Sequence, residues 1–148
     1  DMVSNISAVL SGRWDYVQDE IAAIVDLAHE AGRKVKVIFE NCYLQEAQKQ
    51  KLCEICCAIG ADWVKTSTGF GTGGATIEDL KLMVAHTSLP TEVKAAGGVR
   101  DLETLLKVKA LGVTRVGASA TSAILDPARE QLGMEPIKLD DGSATSNY

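Results

Sequence analysis

The chain has 148 residues, 46% of them hydrophobic, and a formal net charge of −5, enough apolar material for one domain with a sizeable core. The acidic balance, with lysines and arginines scattered rather than clustered, lacks the electrostatic footprint of a nucleic-acid binder. No apolar run approaches the roughly 20 residues that span a bilayer, and no basic segment followed by an apolar core opens the chain, so no membrane is expected and a cytoplasmic location is the default.

Short β-rich runs alternate with stretches of helical period. The chain opens on "DMVSNI", read as a strand, followed by the helical "YVQDEIAAIVDLAHEAG" closing at Gly32. Next come the strand "KVKVIF" (Lys34 to Phe39) and the helix "QEAQKQKLCEICCAIG" closing at Gly60. The strand "DWVKTS" (Asp62 to Ser67) then opens into the glycine-rich "TGFGTGG" before the helix "TIEDLKLMVAHT", where Thr76 and Asp79 have capping-box spacing. The last two units pair "TEVKAA" (Thr91 to Ala96) with "DLETLLKVKALG", capped by Asp101 and closed by Gly112, and end on "TRVGAS" (Thr114 to Ser119). Apolar residues at helical spacing, capping residues and terminal glycines mark the helices. Repeated βα units imply a parallel sheet in an α/β fold.

Three of the cysteines, Cys53, Cys56 and Cys57, crowd one helix, with Cys42 apart from them. With no second cysteine pair and no neighbouring histidine they read as reduced thiols acting as small apolar residues, so no metal is expected. His29 and His86 lie among charged or polar neighbours and read as surface residues.

Lys36, Lys65 and Lys94 each sit in an apolar strand and are separated by 29 residues in both steps. Three successive strands thereby offer a lysine at one equivalent position, on the side of a parallel sheet where active sites form. The ordinary alternative is surface lysines. It is weak if the strands are covered on both faces, where an unpaired charge is costly. Clustered ammonium groups lower one another's proton affinity and desolvation adds to the effect, so one becomes a neutral amine able to attack a carbonyl. The resulting iminium draws electrons from the adjacent carbon and lets a C–C bond there break or form, with no cofactor. Asp1, at the head of the first strand, is a candidate proton shuttle, although an acid at such a position is ordinarily just solvated.

The turn after Lys65 contains G-x-G-x-x-G at Gly69, Gly71 and Gly74, between a strand and a helix. The acid that a dinucleotide site needs about 20 residues further on is replaced by Lys94, which argues against that reading. Glycines after the last two strands, Gly97 and Gly98 in "AAGGVR" and Gly117 with Ser119 in "VGASA", sit where (βα)₈ barrels bind phosphate through backbone N–H groups. These residues, with Gly69, are the expected phosphate site; tight loop geometry alone is the other explanation for the glycines. The expected partner is thus a small phosphorylated molecule.

"DWVKTSTGFGTGGAT", "VKAAGGVR", "KVKVIFENCYL" and "RVGASA" resemble, in order, the motifs of the deoxyribose-phosphate aldolase family, from Asp1 to about Leu125. The resemblance implies a (βα)₈ barrel that reversibly cleaves 2-deoxy-D-ribose 5-phosphate to D-glyceraldehyde 3-phosphate and acetaldehyde. It makes Lys65 the Schiff-base lysine, Lys94 the neighbour that depresses its pKa, Lys36 a further active-site lysine and Asp1 the proton donor and acceptor. The tail "GSATSNY" resembles family members whose terminal tyrosine assists proton transfer, which would be Tyr148. Two positions depart from some members: Phe70 stands in place of a lysine near the phosphate, and Ala120 in place of a serine after "GAS".

The family's barrel begins three βα units earlier, so residues 1–135 are expected to form strands 4 to 8 of a partial barrel and residues 136–148 a flexible tail. Five strands do not close a barrel. A piece of a longer protein is therefore expected, rather than a chain completed by another or folded differently. The other functional reading is a non-catalytic phosphosugar-binding or scaffold protein. The association state is left open, a homo-oligomer included.

Overall fold

A computed structural model of the chain describes residues 1–137. Five strands, β1 (Met2–Val3), β2 (Lys36–Ile38), β3 (Trp63–Lys65), β4 (Glu92–Ala96) and β5 (Arg115–Gly117), form one sheet in chain order. Every neighbouring pair is parallel. A strand order that never reverses distinguishes this sheet from a doubly wound one and gives the crossovers a single sense.

The crossovers are helical: α2 (Trp14–Glu30), α3 (Glu46–Ile59), α4 (Ile77–Ala85) and α5 (Leu102–Ala110), with α6 (Thr121–Gln131) after β5. The expected signals act locally. The Thr76 hydroxyl accepts the Asp79 N–H at 3.1 Å, the Asp101 carboxylate accepts the Thr104 N–H at 2.7 Å, and Gly60 ends α3 at φ +81°. Gln45 and Gln48 close a reciprocal capping box at the head of α3.

Two elements depart from the expectation. The "DMVSNI" strand is only Met2–Val3, because the Asn5 side chain accepts the Ala8 N–H at 3.0 Å and starts a short helix, α1 (Ile6–Leu10). Helix α6 was not foreseen; it runs through Pro127 and buries Ile124 against the core.

Strand residues alternate between two faces. Val37, Val64 and Val93 stand in register and, with Ala95, pack under the helices with at most 3% of their surface exposed. Val17, Ile21 and Val25 of α2, Leu52 of α3, Leu80 and Met83 of α4 and Val108 of α5 complete this core. The helices pack side by side, α1 on α2, α2 on α3, α3 on α4 and α5 on α6, along the face opposite Lys36, Trp63, Lys65, Lys94 and Arg115. The sheet is therefore covered on one face, not both, and the lysines are partly rather than fully buried.

Cys53 and Cys56 lie in the core, as read, while Cys57 is partly and Cys42 largely exposed. Burial pushes the Cys53 thiol up to about 12 and the Cys56 thiol well above its ordinary value, which keeps both protonated. His29 is exposed, as expected, yet its Nε2 lies 3.0 Å from Asp62 Oδ2. His86 is exposed as well. No helix among the described residues is long and apolar enough to cross a membrane.

Candidate active site

The lysines gather on the open face, but not at one level. Lys65 and Lys94 are register partners, whereas Lys36 pairs with Trp63, so Lys36 lies two residues below Lys65 on its strand. Equal spacing in sequence does not mean equal height, because neighbouring strands of a curving parallel sheet are staggered. The two-residue offset preserves the face, since side chains alternate.

Asp1 bridges the step. Its carboxylate lies 2.9 Å from Lys36 Nζ through one oxygen and 3.3 Å from Lys65 Nζ through the other. Trp63 packs one pleat below Lys65, with the Arg115 guanidinium 3.7 Å from its ring centroid and Lys36 Nζ at 5.4 Å. Its indole N–H donates to Thr114 Oγ1 at 3.3 Å.

These surroundings set the charge state of the amines. Burial, then the Lys36 charge, push the pKa of Lys65 down, while Glu40 pushes it up. The Asp1 carboxylate that contacts Lys65 is 39% exposed, so water screens the pair. Lys94 is lowered too, by burial and by the charges of Lys65, Lys36 and Arg115. The sequence predicts that Lys94 depresses Lys65; in the structure the Lys65 and Lys94 charges oppose each other, and Lys36 adds a further charge that lowers both.

Lys65 and Lys94 open into a cleft of about 550 Å³ that Gly69, Gly97, Gly98, Gly117 and Ser119 also line. All five expected phosphate-site residues thus share one cleft with two of the lysines. Lys36 and Asp1 do not line it and reach it through Lys65. Tyr148 lies outside the described residues.

Two devices hold the cleft together. The buried Thr66 hydroxyl donates to the Ala96 carbonyl at 3.2 Å and accepts the Ala96 N–H at 3.0 Å, clipping β3 to β4 just beyond the two lysines. The loop after β3 also packs directly on the loop after β4. A Cβ on Gly74 would stand 2.7 Å from the Gly97 carbonyl carbon, and one on Gly98 would stand 2.8 Å from the Ala75 oxygen. Gly97 and Gly98 have φ of +76° and +83°, where side chains are strained. The third glycine of the G-x-G-x-x-G pattern thus serves loop-on-loop packing.

The structure adds residues that carried no expected role. Arg100 and Thr68 line the cleft, and Glu40 is buried behind it. Arg100 was visible at the end of "AAGGVR", where a cation beside a glycine turn is a usable signal; nothing local marks Glu40. Helix α6 opens beside Ser119 with no side-chain cap on its first N–H groups, the kind of helix end that attracts anions. Among the described residues no group of three or more His, Cys, Asp or Glu side chains is placed to hold a metal ion.

A one-sided βα sheet with staggered lysines at its open face and glycine loops above them has the architecture of part of an α/β barrel. Residues 1–125 match the family model described as DeoC/LacD family aldolase, and the chain belongs to that family. It is 62% identical over 148 residues to a deoxyribose-phosphate aldolase of Rhodopirellula baltica, covering all of this chain and 61% of that protein. A deoxyribose-phosphate aldolase of Thermococcus gammatolerans is 51% identical over 129 residues, covering 87% of this chain and 57% of its own length. The chain thus spans about three fifths of the length of these relatives. Among solved structures, an aldolase described as QR15 superposes with a TM-score of 0.79 at 37% identity, over 90% of this chain and 60% of its own. A tetrameric deoxyribose phosphate aldolase from Aeropyrum pernix gives 0.71 at 29% identity, over 80% of this chain and 51% of its own. The five βα units are those of a partial (βα)₈ barrel.

Proposed function

We propose that these residues form the reacting half of a class I deoxyribose-phosphate aldolase, which cleaves 2-deoxy-D-ribose 5-phosphate to D-glyceraldehyde 3-phosphate and acetaldehyde. Lys65, as the neutral amine, adds to the C1 aldehyde, and the carbinolamine loses water to give an iminium. Loss of the C3 hydroxyl proton turns C3 into the aldehyde of glyceraldehyde 3-phosphate. The C2–C3 bonding electrons pass to C2 as an enamine. Protonation at C2 and hydrolysis then release acetaldehyde and restore Lys65. Asp1, with Lys94 as the adjacent amine, carries these protons. Lys36 lowers the proton affinity of Lys65. Gly69, Gly97, Gly98, Gly117 and Ser119 hold the phosphate, with the Arg100 guanidinium beside them; Tyr148 assists protonation of the enamine. The observation that carries the reading is one cleft shared by a pKa-depressed Lys65 and the glycine loops, in a member of an aldolase family.

A cytoplasmic, self-associating enzyme belongs to the same proposal. The tetramer of the Aeropyrum pernix protein supports the second part by likeness, and light scattering on the native protein tests it. For the chemistry, borohydride is added to the complete protein with acetaldehyde. The expected product is an N-ethyl group on Lys65, located by peptide mass spectrometry. No adduct, or one on another residue, overturns the proposal, and phosphosugar binding without cleavage would indicate a non-catalytic protein instead.

A further inference from the structure

Glu40 is 4% exposed, and among the described residues no lysine, arginine or histidine forms an ion pair with it. A carboxylate so placed is costly unless its oxygens are well used. They are spent on one residue. Both oxygens lie 3.2 Å from the Thr68 N–H, and the Thr68 hydroxyl donates to Oε2 in a short contact. That hydroxyl in turn accepts the Phe70 N–H at 3.0 Å. The chain extends from Glu40 through Thr68 to Phe70, tying down the turn that follows Lys65.

The backbone is shaped for this contact. Glu40 sits at φ 56°, ψ 61°, the one non-glycine residue with positive φ among the described residues, a conformation that persists only where the surroundings hold it. Immediately before and after it, Phe39 N–H donates to the Lys65 carbonyl and Asn41 N–H to the Thr66 carbonyl, both at 2.9 Å. The turn lies flat against the carboxylate: a Cβ on Gly71 would be 3.0 Å from Glu40 Oε1 and 2.9 Å from Cys42 Sγ. On the other side of the same turn, Thr68, Gly69 and Gly71 line the cleft beside Lys65. Glu40 does not line it.

We propose that Glu40 is a positioning residue for substrate recognition: acting through Thr68, it holds the Thr68–Gly71 turn in the shape that receives the phosphate-bearing end of the sugar. A carboxylate in contact with the phosphate would repel it, so the acid works from behind the turn. This inference rests on the aldolase reading above. Losing one charge-assisted hydrogen bond is worth about a tenfold change in affinity, and it should fall on the phosphorylated substrate.

The test compares cleavage of 2-deoxyribose 5-phosphate and phosphate-free 2-deoxyribose by the complete protein and its variants. Glu40→Gln should lower discrimination between the two substrates about tenfold, through KM for the phosphorylated one, while any change from losing its charge near Lys65 falls on both substrates alike. Thr68→Ala should reproduce this, Thr68→Ser, which keeps the hydroxyl, should lose less, and the double variant should be no worse than either single one. If Glu40→Gln does not fold, the two Thr68 variants carry the comparison. Unchanged discrimination, equal losses on both substrates, or additive losses in the double variant would overturn the inference. A parent protein that cleaves neither substrate overturns the aldolase reading instead.

Discussion

Lys65 and Lys94 face each other as register partners on adjacent parallel strands, and the valines preceding them, Val64 and Val93, are register partners on the helix-covered face. The alternation that buries the valines therefore delivers the amines to the open face. Lysine placement and core formation are one constraint, and a one-residue slip in either strand would exchange them.

Replacing Lys65 by methionine keeps the stem and removes the amine. Turnover should fall by at least about a thousandfold, since the proposed mechanism makes Lys65 the nucleophile. Borohydride labelling with acetaldehyde should vanish as well. Circular dichroism should remain that of the parent, because the Lys65 amine faces the cleft rather than the core.

Lys36→Met removes the leading charge that lowers Lys65. An amine is reactive when neutral, so activity rises as pH climbs through its pKa. Without Lys36 that pKa moves up, and the rising limb of the kcat/KM profile should shift to higher pH. An unchanged limb would remove Lys36 from this role.

Gly74→Ala places a methyl against the Gly97 backbone at a separation no real Cβ shows. One loop must move. Overpacking of this kind costs about 1–3 kcal/mol, and KM for the phosphorylated substrate should rise more than kcat falls. Thermal melting and steady-state kinetics on one preparation give both readings.

Asp62 lies at the opposite end of β3 from the cleft. Burial pushes its pKa up, but hydrogen bonds from His29 and from the Val35 N–H, at 3.0 and 2.8 Å, outweigh this and hold it below the ordinary value. A lowered carboxylate stabilises the fold fully above its unfolded pKa, and this is lost as pH falls through the folded value. Asp62→Asn should therefore cost about 1–2 kcal/mol near neutral pH and flatten the acid limb of Tm against pH. Cleft kinetics should change little.

Much was legible from local pattern. The βα alternation, the caps at Thr76 and Asp101 and the closing glycines could be read because each depends on neighbours within one turn. The three lysines stood out because a charge inside an apolar strand contradicts the residues around it. The α1 turn was missed because Asn5 acts on a segment too short to show a period, and α6 because Pro127 reads as a breaker.

By itself the sequence determined the βα order and singled out the strand lysines as candidates to react, since propensity, alternation and side-chain chemistry are carried in short stretches of chain. Only the tertiary structure decided that Lys36 stands below Lys65, that Asp1 bridges them, that Gly74 must be bare against Gly97, and that Glu40 holds Thr68. These depend on strand stagger and on contacts between segments some 23 to 64 residues apart, where distance is set by how the sheet curves and the loops pack, and no local periodicity records it.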